Sequence, residues 1–211
     1  MPASVVQARQ LPLTFAQAEI WYALQLERPN AAFNMGEYLE IRGPLDVAAL
    51  EAATRSLFHE AGCLRSRFME TDEGPRQIIE ELGDWSLPVL DLRAAADPRV
   101  AAEEWMRADR AWPLSVEDFP LLRVALLVVG DEQALYYWCV HHILTDGMSG
   151  MGMYRRLAEL YTALARGGSP EEGALPPVGV LYEAEGAYPG SAACAEDDNF
   201  LCIHNFIAQW A

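Results

Sequence analysis

The pattern of polar and apolar positions predicts four helices along the chain, two of them from start signals and two from apolar stripes at helical spacing. The capping-box pattern Thr14-x-x-Gln17 predicts a helix that starts at about Phe15. Asp97-Pro98 predicts the start of another helix, which runs to about residue 108. Apolar residues recur every three or four positions after Asp46 and again beyond residue 150. These two stripes comprise Val47, Leu50, Ala53 and Leu57, then Met153, Leu157, Leu160, Tyr161 and Leu164.

Strand-like patterns alternate irregularly with these helices. Two almost wholly apolar runs flank residues 130–132 and predict a hairpin whose strands are covered on both faces. Shorter strands are predicted in GEYLEIRG, in CLRSRFME and in RQIIEEL. The order of elements predicts an α/β or α+β sandwich with a mixed sheet flanked by helices.

Composition narrows the classes of function. The chain has 211 residues, 52% of them hydrophobic, and a formal net charge of −16, which argues against nucleic acid and anionic membranes as partners. No CxxC pair occurs, so no zinc knuckle is expected, and four cysteines in a chain of this length argue against a disulfide framework. No apolar run has membrane-spanning length, and we expect a cytoplasmic protein with buried or free thiols. Its cysteines are Cys63, Cys139, Cys194 and Cys202.

The stretch YYWCVHHILTDGMSG carries the candidate chemistry. Neighbouring residues of a strand point to opposite faces, so one of His141 and His142 should face the interior and the other an opening at the strand's end. An imidazole with an ordinary pKa of about 6.5 can accept a proton near neutral pH. Asp146 follows too closely in sequence to be a random surface charge at a sheet edge, and Gly147 permits backbone angles that a β-carbon forbids.

Two other interpretations apply to the same residues. A histidine after a strand is more often a satisfied core or surface residue than a catalyst. Two histidines and one aspartate are also acceptable zinc ligands in type. Their opposite orientations argue against a shared metal ion, and we expect no metal and no directly bound cofactor.

His141 to Gly147 matches the HHxxxDG signature, and the chain resembles condensation domains of nonribosomal peptide synthetases. LTFAQ at 13–17, with Trp21, resembles the family's first motif. His59 to Phe68 resembles the second, RHExLRTxF, with Phe58 where arginine is common and with AGC inserted before Leu64. The longer spacing resembles starter-type condensation domains, which join an acyl or aryl group to the first amino acid.

The resemblance implies two lobes similar to chloramphenicol acetyltransferase, with a tunnel between them. Donor and acceptor then hang by phosphopantetheine from carrier proteins, beside an adenylation domain, and the acceptor amine attacks the donor thioester. It implies His142 as general base or as positioner of the amine, with His141 as its motif neighbour. Asp146 would pair with Arg65, and Gly147 would shape the turn, with its backbone near the thioester oxygen.

The resemblance covers one lobe. We expect residues 1–168 to form the N-terminal lobe and residues 169–211 to be a linker with a divergent or truncated tail, changed after Phe200. The chain is then a fragment that lacks its C-terminal lobe. Two alternatives to amide formation stay open: a standalone O-acyltransferase, and a non-catalytic module that binds carrier proteins.

Overall fold

The computed structural model describes residues 9–26, 31–145 and 147–170. Its helices are α1 (Phe15–Leu26), α2 (Val47–Glu60), α3 (Pro98–Ala111) and α4 (Gly147–Ala165), with a 3-10 helix at Gly62–Arg65. Its strands are β1 (Arg9–Pro12), β2 (Asn34–Arg42), β3 (Ser66–Met69), β4 (Arg76–Ile79), β5 (Val89–Asp91), β6 (Leu122–Gly130) and β7 (Gln133–His141). No helix in these ranges is both long enough and apolar enough to cross a membrane.

The strands form two sheets. The larger has the order β2-β7-β6-β5; β5 runs parallel to β6, and the other pairs are antiparallel. The smaller, β1-β4-β3, is antiparallel throughout. This mixed α/β sandwich confirms the predicted fold class, and β6 and β7 form the predicted hairpin.

Local capping explains where the helices begin. The Thr14 N–H donates to Gln17 Oε1 at 3.0 Å, and the Gln17 N–H donates to Thr14 Oγ1 at 3.3 Å, which confirms the capping box. Asp46 and Asp97 accept hydrogen bonds from the third backbone N–H beyond them. These side chains satisfy amide groups that the first helical turn leaves unpaired.

Helices cover both faces of the larger sheet. On β7, Tyr136 and Trp138 point into the main core, which includes residues of α2 and α4, whereas Tyr137 and Cys139 point towards α3. Two covered faces explain why the hairpin strands are almost continuously apolar. Trp21 and the aromatic residues 136–138 are core residues, as predicted.

One predicted strand segment is wrong. Residues 63–65 belong to the 3-10 helix, and β3 begins only at Ser66. Cys63 and Leu64 are both buried, which strand alternation does not allow for neighbours in a sheet with one buried face. The segment turns instead, and the Leu64 N–H donates to the Ala61 carbonyl at 2.9 Å.

Candidate active site

The histidine pair lies where β7 ends in the large sheet. The His141 N–H donates to the Leu121 carbonyl at 3.1 Å, and the His142 N–H donates to the Phe33 carbonyl at 2.8 Å. Residues 142–144 form a turn, closed by the Leu144 N–H on the His141 carbonyl at 3.0 Å, and α4 follows from residue 147. The backbone of both histidines is thus held between neighbouring segments before the chain turns into the helix.

His141 faces the interior. Its side chain is buried, its Nδ1 accepts the Ile143 N–H at 3.2 Å, and the Phe33 ring lies 5.8 Å from its own. Burial lowers the pKa of His141 to about 4, and the neighbouring His142 contributes in the same direction. The ring is therefore neutral at pH 7, with its proton on Nε2.

His142 is half-buried, and its Nδ1 lies 3.0 Å from the Thr145 carbonyl oxygen. A carbonyl oxygen can only accept, so Nδ1 must carry the proton in this contact. The neutral ring then has its lone pair on Nε2. The burial of the two rings differs as strand alternation predicts, and His142 is the more exposed of the two.

Arg65 belongs to the second motif and is the last residue of the 3-10 helix. Its Nε donates to the Phe58 carbonyl at 2.9 Å and its Nη1 to the Glu80 carbonyl at 2.6 Å, so it joins α2 to the residue that follows β4. Asp146 lies outside the described residues, and its pairing with Arg65 stays a prediction. Gly147 is the first residue of α4, and its predicted role also stays a prediction.

Ser149, just past the histidine motif, resembles a helix N-cap in its sequence position but lies inside α4. The helix α4 begins two residues earlier, and Ser149 is buried within its first turns. No cluster of three or more His, Cys, Asp or Glu residues in the described ranges could hold a metal ion.

Two side-chain contacts around the site were not predicted from the sequence. The Gln17 side chain reaches the Ile143 carbonyl in the histidine loop, although its sequence pattern indicated only a helix cap. Arg156 on α4 makes two hydrogen bonds with Glu60 of the second motif, at 2.7 and 2.8 Å. No spacing rule reveals either contact, since the partners lie 126 and 96 positions apart.

A mixed sandwich with a histidine pair at a strand–turn–helix junction corresponds to one lobe of the chloramphenicol acetyltransferase-like fold. The family model "Condensation domain" matches residues 7–200. The chain belongs to the condensation-domain family.

Curated relatives are nonribosomal peptide synthetases. The chain is 36% identical over 191 residues to a dimodular nonribosomal peptide synthase of Bacillus subtilis (strain 168), covering 90% of the chain and 8% of the synthase. It is 32% identical over 195 residues to enterobactin synthase component F of Escherichia coli O157:H7, covering 92% of the chain and 15% of that protein. The chain thus spans a small part of each relative.

Solved condensation domains share the fold. The starter condensation domain of rhizomide synthetase RzmA superposes with a TM-score of 0.76 at 39% identity, covering 83% of this chain and 43% of that one. The first condensation domain of the CDA synthetase gives a TM-score of 0.73 at 36% identity, covering 80% of this chain and 44% of that one. Less than half of each solved domain is therefore matched.

Proposed function

We propose that this chain supplies the catalytic histidine of an amide-forming condensation domain in a larger nonribosomal peptide synthetase. The donor is an acyl thioester and the acceptor an aminoacyl thioester, each carried on the phosphopantetheine of a carrier protein. The acceptor nitrogen bonds to the donor carbonyl carbon, the carbon–sulfur bond breaks, and the thiolate leaves. The nitrogen loses a proton in the process, and the thiolate gains one.

The observation that carries this proposal is the geometry of His142. Its Nδ1–H is engaged by the Thr145 carbonyl, so Nε2 offers the lone pair that can accept the amine proton or orient the amine. The same contact stabilises the imidazolium that forms after proton transfer. His141 stays neutral at pH 7, so it adds no second positive charge beside that ring.

A thioester is already activated, so neither a covalent nucleophile nor a metal is needed. The reaction requires alignment of amine and carbonyl and a place for the proton. The proposed domain holds both in a tunnel between this lobe, about residues 1–168, and a second lobe. The proposal includes pairing of Asp146 with Arg65, a turn shaped by Gly147, an adjacent adenylation domain and a cytoplasmic location.

The starter subtype is part of the same proposal. The second motif carries the longer spacing, and the RzmA starter domain superposes on this chain. A mutant of that RzmA domain was solved in complex with C8-CoA and Leu-SNAC. By this likeness, the donor here is an acyl group joined to the first amino acid.

The test is single-turnover amide formation by the complete condensation domain, with one acyl-loaded and one aminoacyl-loaded carrier protein. We expect His142→Ala to lower the rate by about 10²- to 10⁴-fold, the usual contribution of a general base. His59→Ala is the matched control, because His59 is an exposed histidine on α2. It should keep the full rate.

Wild-type amide formation by the folded His142→Ala protein would overturn the proposal. Acyl transfer to free alcohols without amide formation would instead identify an O-acyltransferase. Binding of carrier proteins without any turnover by the wild-type domain would identify a non-catalytic module.

A further inference from the structure

Gln17 is buried more deeply than a helix-capping residue needs to be. Its Oε1 accepts the Thr14 N–H, which completes the cap at the start of α1. Such a cap leaves the side-chain amide nitrogen unused, and on a surface helix water would satisfy it. Here Gln17 is 2% exposed, so its two remaining N–H groups must find partners inside the protein.

Both partners are present. Gln17 Nε2 lies 3.4 Å from Gln77 Oε1 and 3.4 Å from the Ile143 carbonyl oxygen, and it donates to both. Gln77 Nε2 donates to Ser66 Oγ at 2.7 Å, and Ser66 Oγ donates to the Gly62 carbonyl at 3.1 Å. The three side chains form one buried network with donors and acceptors matched.

The orientation of the Gln17 amide follows from this network. Oε1 must meet the Thr14 N–H, and Nε2 must meet two oxygen atoms. A flipped amide would place oxygen against oxygen at two contacts and nitrogen against an N–H at the third. The side chain is therefore fixed as a donor towards the histidine loop.

Ile143 connects this donor to both histidines. Its N–H donates to His141 Nδ1, and its carbonyl receives Gln17. Hydrogen bonds thus hold the peptide groups on both sides of Ile143. These two groups follow His142 directly in the turn. This turn also brings the Thr145 carbonyl oxygen to within 3.0 Å of His142 Nδ1.

We propose that Gln17 is a positioning residue for His142: by holding the Ile143 carbonyl, it fixes the turn that keeps the His142 proton on Nδ1 and the lone pair on Nε2. The importance of Gln17 for catalysis rests on the function proposed above, whereas its effect on the His142 ring does not. Gln17 touches no substrate in this scheme. It acts through the backbone of the loop.

The test reads the ring directly by nitrogen NMR of the full 211-residue chain, labelled with ¹⁵N in the histidine rings. Spectra are recorded at about pH 8, where histidines of ordinary pKa are neutral. The signals of His142 are those that the His142→Ala variant lacks. In the wild type we expect a protonated Nδ1 and an unprotonated Nε2.

Gln17→Met keeps the length of the side chain but donates nothing. We expect it to raise the ratio of the Nε2–H to the Nδ1–H form of His142 by about three- to tenfold, the effect of losing one net hydrogen bond. Gln17→Glu keeps the oxygen that caps α1 and also lacks the donors. It should shift the ratio in the same direction, and it serves if the Met variant does not fold.

Thr54→Val is the matched control. It removes another buried hydrogen bond, between Thr54 Oγ1 and Tyr136 Oη at 2.8 Å, which shares no residue with the Gln17 network. A comparable loss of stability should then leave the His142 ratio unchanged. An equal shift in the control would show that the ring responds to any loss of stability, which would overturn the proposal.

Two further outcomes would overturn it. One is the finding that His142 is protonated on Nε2 in the wild type, a result that requires no variant. The other is a folded Gln17 variant with an unchanged ratio. The inference and the proposed function fail separately: a tautomer shift in a domain that forms no amide sinks the function alone, and an unchanged tautomer in a domain that needs His142 sinks the inference alone.

Discussion

The two faces of the large sheet bury their polar groups by different means. The face that packs against α2 and α4 contains neutral hydrogen bonds, a closely paired arginine and the Glu37 carboxylate, which bonds to Tyr154 of α4. The face that packs against α3 is bordered by several ion pairs with partly exposed members. Both faces belong to the same strands, so the difference comes from what covers them.

On the α2–α4 face, two helices exclude water from the strands. Tyr136 is fully buried and shares a hydrogen bond with Thr54. Burial raises the pKa of the Tyr136 phenol, so its hydroxyl stays neutral across the physiological range. The Gln17 network is also buried, but it joins α1 and the small sheet to the histidine loop. Interactions on this face hold groups in one arrangement because water cannot replace them.

On the α3 face, a single helix leaves the edge of the sheet open. Arg99 bonds to Glu40 at 3.1 Å, and its guanidinium lies 5.3 Å from the centre of the Tyr38 ring. Burial works to raise the pKa of Glu40, but hydrogen bonds from Gln133, Arg42 and Arg99 outweigh it, and the pKa is lowered. Charges at this edge are paired yet remain close to water. The two faces therefore differ in how their polar groups are held: hydroxyl groups share buried hydrogen bonds under two helices, whereas the charges beside α3 form partly exposed pairs.

The largest effect is expected on the α2–α4 face, at Arg156. Its side chain is 10% exposed, and it binds both carboxylate oxygens of Glu60 between the two helices. Arg156→Met keeps the apolar stem but leaves the half-buried Glu60 without this partner. We expect a loss of about 3–5 kcal/mol in the free energy of unfolding, measured with urea.

Arg155→Met is the matched control for Arg156→Met. Arg155 is the next residue of α4, is 73% exposed, and pairs with Glu159 at 3.2 Å in the solvent. We expect a change below about 0.5 kcal/mol. Equal losses of unfolding free energy in the two variants would show that a pair shielded from water and an exposed pair contribute alike.

The second effect concerns the pH dependence of stability through His141. Its pKa is about 4 in the folded chain and about 6.5 when unfolded, so the unfolded chain binds more protons between these values. The contribution of the neutral ring is therefore complete above pH 6.5 and is lost as the pH falls towards 4. The 2.5-unit difference corresponds to about 3 kcal/mol.

His141→Asn isolates that contribution. The Asn Oδ1 can accept the Ile143 N–H in place of Nδ1, and it does not titrate. Urea unfolding at several pH values should show a flatter dependence for the variant between pH 4 and 6.5. Identical slopes for the two proteins would mean that His141 protonates as easily when folded as when unfolded.

Local signals in the sequence predicted much of this architecture. Asp46 and Asp97 mark the starts of their helices in the sequence, because a helix cap involves residues only three positions apart. The hairpin is likewise predicted by two apolar runs on either side of a turn. The 3-10 helix Gly62–Arg65 was not predicted, because its residues are buried by tertiary packing and no local pattern marks them as a turn. The second role of Gln17 was missed for the same reason, since its partners lie 60 and 126 residues away.

The smallest effect, and the sharpest test of the comparison, lies on the α3 face at Arg123. Its Nε donates to Asp109 Oδ1 at 2.8 Å, and Tyr137 donates to the other carboxylate oxygen at 3.0 Å. Arg123→Met should cost about 1–2 kcal/mol, because Arg123 is 28% exposed and water can partly replace it. Asp109→Asn keeps an acceptor for Tyr137 and completes a double-mutant cycle.

The coupling energy of this cycle should fall when salt rises to about 1 M, since exposed pairs are screened. The coupling between Arg156 and Glu60, measured in the same way, should change much less. If both couplings respond equally to salt, the two faces are equally wet. In that case one covering helix and two covering helices do not differ in how well they exclude water from the sheet.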